Sequence, residues 1–549
     1  MAQIVKTRLK IGLEVHVELA TATKMFSRAP NPAGFEWQAV LRGGADGLGG
    51  RSEPEPNSCI DPVVLALPGA LPVMNREAVR LSMLVGLSLN CSIAKTSRWD
   101  RKSYFYPDLP KGYQISQYDL PLCFDGALDV EVDGADGARC VKRIGIVRAH
   151  LEEDAGKLLH EMPAAMGGRT LEGSIADYNR AGTPLLEIVT QPDFETADEV
   201  VAFARALRDI CRFVGATRGV MQAGHIRFEP NINMLLTLDD GRTVATPIAE
   251  VKNLNSFKSV RGAIEFEARE QPGRWLKDGR EFGPGSKQTR GWDDEAMCTF
   301  VQREKEDAHD YRYFPDPDLL PLQMDPAWLE SVRASVPELP AARAARYERE
   351  FGLSRADAHL LTRARAESDF FEGAVTAAIT HGCSGDRAGK ATANLMLQSG
   401  RKRVAAMAER TDENAQTDET GEDAAHVNEL GISAAQLGEL AALRESGRVN
   451  NQSVDELFGL LCEESQRGVS AGALAAARGM IVVRDESAID GWCAAAIAEQ
   501  PKAADDVRAG KEAALGRLVG AAMKHAAGKG DAQTIRERLL AKLSGGANS

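Results

Sequence analysis

The chain has 549 residues, a formal net charge of -13, and apolar and charged fractions of 44% and 26%, the profile of an ordinary soluble protein of roughly two to four domains with room for true cores. No apolar run approaches the ~18 residues of a membrane span, and the first residues form no apolar leader. The acidic balance argues against non-specific nucleic-acid binding by the whole surface and leaves a local basic site open, and nine cysteines scattered without a C-x-x-C pair read as reduced thiols of a cytoplasmic protein.

The first element is Ile11-Gly-Leu-Glu-Val-His-Val-Glu-Leu19, which alternates apolar and polar residues without a fault. That is the period of a half-buried strand, and it places Glu14, His16 and Glu18 on one face, neighbours roughly 6–7 Å apart. Such a row suits part of a divalent-cation site; equally, polar outer faces are normal on antiparallel strands. Gly43 to Gly50 is glycine-rich, but its spacing does not fit a dinucleotide fingerprint, so it reads as a loop. Leu67-Pro-Gly-Ala-Leu-Pro-Val73 is a proline-punctuated turn, and Asn75 is placed to cap the apolar-periodic helix behind it.

Asp100 to Gln117 crowds aromatics, cations and two prolines into a segment that cannot be a long helix. Mixed loops of this kind serve nucleotide or RNA contact through stacking and phosphate pairing, or half-bury their tyrosines over a core. Arg143 to His150 reads as a strand running into Leu151-Glu-Glu-Asp-Ala-Gly-Lys157, either a metal and phosphate site or a solvated charged turn. Glu187 lies inside the apolar strand of Asp177 to Val189 and needs a partner, because an unpaired buried charge is very costly. Thr196-Ala-Asp-Glu199 is a capping-box pattern opening a helix with Val200, Phe203, Leu207, Ile210 and Val214 on one face and a stop at Gly215. Asp307 to Asp318 forms a second loop of aromatics, acids and an arginine.

Beyond Pro340 the sequence turns alanine-rich and helical. Residues 409–425 are acidic with almost nothing apolar and read as a disordered insertion. From Pro501 onward nine Lys/Arg stand against five Asp/Glu, a basic excess inside an acidic protein. Gly510, Gly516 and Gly520 there are costly in helices unless backbones approach closely. Gly385-Asp-Arg-Ala-Gly-Lys-Ala391 is not a P-loop: it lacks one residue between its glycines, and Ala391 stands where Ser or Thr would hold magnesium. Nucleophile-elbow, zincin and kinase motifs are absent from the sequence.

Taken together, the 11–19, 67–73, 100–108, 114–117, 150–157, 179–187, 250–257 and 310–316 stretches resemble, in order, the B subunits of the GatCAB-type aspartyl/glutamyl-tRNA amidotransferases. The resemblance implies an α+β chain: a large mixed α/β cradle domain over residues 1–325, a helical domain over 340–467, and a small helical YqeY-like tail over 468–549 that binds tRNA. It implies ATP-dependent phosphorylation of the side-chain carboxylate of Glu-tRNA(Gln) or Asp-tRNA(Asn), followed by displacement of phosphate by ammonia. An amidase partner, the A subunit, would supply that ammonia, and a small C subunit would brace the pair.

The positions matching the family's Mg²⁺ ligands are His16, Glu153 and Glu187, with Glu14 and Glu152 close by. Mg²⁺ prefers oxygen, so His16 is expected to be a weak or water-mediated ligand. Glu14, Glu153 and Lys102 are the candidate catalytic groups, Lys102 beside the ammonia route. Arg227, Lys252 and Arg312 are candidates for phosphate or tRNA-end contacts. Two departures stand out. Only Cys59 remains where many relatives carry paired cysteines, so no zinc is expected. The family's Gly-Ser-(Leu/Met)-Arg-Cys-Asp-(Ala/Val)-Asn stretch appears as Gly224-His-Ile-Arg-Phe-Glu-Pro-Asn231, where Pro230 removes a backbone donor. The rival reading is a tRNA-binding scaffold that has lost its activating site; an archaeal-type subunit would need an extra inserted domain.

Overall fold

The computed structural model describes residues 3–34, 54–133, 138–161, 170–304, 311–411, 426–482, 485–526 and 530–544. The Gly43–Gly50 loop, most of the acidic 409–425 segment and the start of the Asp307 loop lie outside these. The chain divides into two compact units, Met1–Leu339 and Pro340–Ser549. The first is built on a mixed sheet and the second is helical, in keeping with an α+β chain.

The alternating segment becomes the strand Ile4–Glu18, in the middle of a sheet with thirteen strands among the described residues. It pairs antiparallel with Pro184–Thr190 on one side and Ile226–Leu238 on the other. Pro184–Thr190 pairs in turn with Arg139–Glu153. Ile11, Val15 and Val17 are fully buried and Leu13 nearly so, packed in one core with Val79, Val200, Phe203 and Val260 from three helices. Each such side chain contributes about 1.5–3 kcal/mol on burial. A one-residue slip would drive Glu14 and His16 into that core, so the register is strongly fixed.

The three helices form where the sequence marks them. Asn75 caps Arg76–Ser88 by accepting from the N–H groups of Glu77 and Ala78. Ser256 caps Phe257–Asp278, which ends at Gly279 in the left-handed region. Thr196 caps Ala197–Phe213 by accepting from Glu199 N–H at 3.2 Å. The reciprocal half of that box goes elsewhere: Glu199 accepts from the Glu195 N–H and from Lys142. Val200, Phe203, Leu207, Ile210 and Val214 all lie in the core. The first unit continues past residue 325, because the helix Pro326–Ala334 seats Val332 in the same core.

The second unit holds two separate buried clusters, one drawn from residues 344–475 and one from 489–543. Among the described residues nothing lies within 4 Å of where a Cβ would stand at the three tail glycines, so close backbone approach does not account for them. Gly510 ends a helix at φ +85°, and Gly516 and Gly520 lie within the helix Leu515–His525 with open space where a Cβ would stand. The substitutions Gly516→Ala and Gly520→Ala should therefore each stabilise the helix by roughly 0.4–1 kcal/mol, read as a rise in melting temperature; a fall at either site would show that something occupies that space.

Candidate active site on the polar sheet face

Opposite the helices, neighbouring strands present one continuous polar face. Cross-strand pairing sets His16 against Glu187 and, on its other side, against Arg227, while Glu14 opposes Glu229 and Gly12 opposes Asn231. Glu187 in turn opposes His150, Leu185 opposes Glu152, and Asn231 opposes Glu250. Paired residues share a face, so the register alone gathers an imidazole pair and a row of carboxylates.

Two carboxylate groups result. His16, Glu152 and Glu187 bring one potential ligand atom each within 4.8 Å of one another. His16 Nε2 lies 3.7 Å from Glu187 and its Nδ1 lies 3.8 Å from Glu229. His150 Nε2 is 3.6 Å from Glu187, and Nδ1 of both histidines is buried without a hydrogen-bond partner. Glu14, Glu229 and Glu250 form the second group. Cations already meet that one: Lys252 pairs with Glu229 and lies 3.5 Å from Glu250, and Lys287 lies 3.5 Å from Glu250 and 3.8 Å from Glu14; the neutral Asn231 amide donates to Glu14 at 3.0 Å.

The expected trio of His16, Glu153 and Glu187 is not what the fold assembles. Glu153 follows the parity of buried Leu151 and turns to the other face. There it takes an ion pair from Lys111 and the Ile115 N–H at 3.0 Å, beside a small cavity shared with Lys24, Phe26 and Gly182. Glu152 stands in its place. The cause is a register shift against the Pro184–Thr190 strand, which pairs Val189 with Arg148 but Thr190 with Ile146. Alternation flips there, from buried Ile144 and Ile146 to buried Ala149 and Leu151. The parity of Ala149 and Leu151 was the signal in the sequence that could have separated the two glutamates.

Charge in the trio is poised by burial. Burial works against the imidazolium of His16, but Glu229 and Glu187 raise it to about 9. Burial opposes the Glu187 charge too, yet His150, His16 and Lys102 hold its carboxyl well below the usual range. Burial and the Glu187 charge push Glu152 up to about 7, against Lys102 and His16. His150, buried, is pushed down to about 4 and is neutral at pH 7. Within the protein the His16 imidazolium and the Lys102 ammonium balance the two carboxylates; a divalent cation would take the place of the imidazolium's charge, with release of its proton. The donor set of two carboxylates and one imidazole fits such an ion, with the remaining positions open to water or phosphate oxygen.

The other expected residues divide between the face and its rim. Lys102 lies beside Glu152; burial works against its charge, but Glu152, Tyr313 and Glu187 keep it firmly protonated. Arg227 is not free for phosphate: it donates to Asp154 at 2.7 Å and lies 3.5 Å from Glu18. Arg312 is exposed, adopts φ +45° and has no ion pair among the described residues. The second aromatic loop approaches the first, with Tyr313 stacked on Tyr118 at 4.2 Å between ring centroids.

Comparison with known proteins places this geometry. Residues 9–330 match the model of the GatB/GatE catalytic domain, and residues 416–543 match that of the GatB domain of the YqeY type. The chain is 39% identical over 531 residues to the aspartyl/glutamyl-tRNA(Asn/Gln) amidotransferase B subunit of Rhodopirellula baltica, covering 96% of this chain and 95% of that protein. It is 40% identical over 541 residues to the B subunit of the same enzyme from Cupriavidus pinatubonensis, covering 97% and 99%. A third relative, the B subunit from Ralstonia nicotianae, is 39% identical over 544 residues, covering 97% and 98%. The catalytic-domain model spans more than half of the chain, and the relatives align over nearly all of it: this protein belongs to the GatB family, that of the aspartyl/glutamyl-tRNA(Asn/Gln) amidotransferase B subunits.

Proposed function

We propose that this protein is the activating subunit of a glutamine-dependent amidotransferase that converts Glu-tRNA(Gln) to Gln-tRNA(Gln), Asp-tRNA(Asn) to Asn-tRNA(Asn), or both. The observation that carries the reading is the close grouping of His16, Glu152 and Glu187 on the polar face, in a chain whose relatives bear that name over nearly their whole length. A carboxylate is a poor electrophile, so activation takes ATP: the carboxylate attacks the γ-phosphorus, ADP leaves, and ammonia then displaces phosphate to give the amide. A divalent cation, Mg²⁺ in this reading, would be held by His16, Glu152 and Glu187 and would offset charge on the transferring phosphoryl group. Glu14 lies on the same strand face and, with Glu229 and Glu250, fixes Lys252 and Lys287 at the edge of the site.

Arg312 faces phosphate, Lys252 is taken up by Glu229 and Glu250, and Arg227 is a positioning residue that holds Asp154 and Glu18. Lys102, protonated beside Glu152, flanks the route by which ammonia arrives. Ammonia comes from the amidase partner, the A subunit, and the small C subunit completes a heterotrimer. The two buried clusters of the helical unit support a helical domain and a separate tail, divided between residues 475 and 489 and not at 467/468; the basic excess of the tail suits tRNA phosphates. Among the described residues no helix is long and apolar enough to cross a membrane; acting on tRNA, the protein works in the cytoplasm in this reading.

The test is the reconstituted complex with Glu-tRNA(Gln), ATP, Mg²⁺ and ammonium chloride, which bypasses the amidase. Formation of Gln-tRNA(Gln) with matching release of ADP is expected. Amide formation without ATP, or none with either acylated tRNA, would leave the scaffold reading standing instead.

A further inference from the structure

Beside the trio stands a second group with the spacing of a cation site: Glu14, Glu229 and Glu250 bring one carboxylate oxygen each within 4.8 Å of one another. The two groups are neighbours. Glu14 is two residues from His16 on one strand face, roughly 6–7 Å along it, and the His16 imidazole lies between Glu187 of the first group and Glu229 of the second. Many phosphoryl-transfer sites hold two divalent ions side by side.

Here the second position already carries positive charge. Lys252 pairs closely with Glu229 and lies 3.5 Å from Glu250. Lys287, just before the strand Gln288–Asp293, lies 3.5 Å from Glu250 and 3.8 Å from Glu14. Neutral donors take further oxygens: Asn231 donates to Glu14 at 3.0 Å and Thr289 to Glu250 at 3.2 Å. An ion entering this group would meet two ammoniums at close range and would have to displace one of them. The two lysines differ in how firmly they are held. Lys252 has a close partner in Glu229, whereas Lys287 stands further from both its carboxylates and keeps 31% of its side chain exposed. Its ammonium carries three donors, so it can turn to a phosphate oxygen while Lys252 still compensates the acids.

We propose that this face holds one divalent ion, at the trio, and that the ammonium of Lys287 takes the place of a second, donating to the transferring phosphoryl group. This rests on the reading of His16, Glu152 and Glu187 as the ion site of the activation step. A fixed donor of this kind suits an oxygen that gains charge during the transfer.

The test counts ions on the full heterotrimer, without nucleotide or tRNA, with Mn²⁺ as the probe and the free ion read by electron paramagnetic resonance. Glu187→Gln should remove one bound Mn²⁺ and Glu250→Gln none. Lys287→Met, which keeps the stem and deletes the charge, should gain one Mn²⁺ over the wild type and lose it again when Glu250→Gln is added. In the ammonia-dependent assay Lys287→Met should lower kcat by about 10²-fold, the cost of one fixed donor to developing charge, and Lys287→Arg should recover part of that loss. Removal of an ion by Glu250→Gln alone would show that the second group takes a metal beside its lysines and would overturn the proposal. So would a Lys287→Met that gains no ion or keeps the wild-type kcat. If Glu187→Gln removed no ion, the activation reading itself would fall and this proposal with it. The Glu250→Gln count leaves Lys287 unchanged, so it decides the matter even where Lys287→Met fails to assemble.

Discussion

Replacing Glu187 by glutamine is expected to lower ammonia-dependent amide formation by about 10²–10³-fold, the usual cost of removing one fixed group that stabilises developing charge. Glutamine keeps the size of the side chain and removes the charge that Glu187 presents to His16 and His150. Glu152→Gln should approach the same loss, because Glu152 completes the group within 4.8 Å. Glu153→Gln is the discriminating control. Its carboxylate faces Lys111 across the sheet, so its loss should stay within about tenfold, the scale of one altered ion pair. The assay supplies ammonium chloride, ATP and Glu-tRNA(Gln) over a range of Mg²⁺ concentrations. A shifted Mg²⁺ requirement should accompany Glu152→Gln and Glu187→Gln only. Full activity in Glu187→Gln, or a larger loss in Glu153→Gln than in Glu152→Gln, would show that the working face has been misassigned.

That control marks where reading from sequence stopped. The alternation of Ile11 to Leu19 specified both the strand and its buried side, because one physical rule, burial of every second residue, acts along its whole length. Glu187 was also legible, since an acid inside an apolar strand demands a partner, and His16 and His150 supply it. Choosing between Glu152 and Glu153 turned on the flip of alternation between Ile146 and Arg148: the parity of Ala149 and Leu151 carries it in the sequence, while its cause, the register shift against Val189 and Thr190 some forty positions away, shows only in the fold. Arg227 and Lys252 were chosen by charge alone. Whether a cation is spent on the protein's own acids or left for a ligand is decided by what lies across the strand, and a linear pattern carries none of that.

Arg227→Met is the second large effect, and it falls on stability. Arg227 is about three-quarters buried and stands between two nearly buried carboxylates, donating to Asp154 at 2.7 Å and lying 3.5 Å from Glu18. Burial works against the Asp154 charge, but Arg180 and Arg227 hold its carboxyl well below the usual range. Burial pushes Glu18 up to about 7 even with Arg227 opposing it. Removing the guanidinium leaves two buried acids with Arg180 alone, 3.7 Å from Asp154, and breaking a buried pair by deleting one partner costs about 3–5 kcal/mol. Met keeps most of the buried stem, so the loss reports the charge and not a cavity. Arg227→Lys should recover only part of it, because an ammonium cannot reach both acids as a planar fork does. The measurement is thermal melting of the isolated chain, with the double variant Arg227→Met, Asp154→Asn as the partner arm: removing the orphaned acid should return part of the lost stability. If Arg227→Met instead melted with the wild type and only its KM for ATP or tRNA rose, Arg227 would be a ligand contact after all, and the division of the face into a reacting trio and a structural Glu18–Arg227–Asp154 bridge would fail with it.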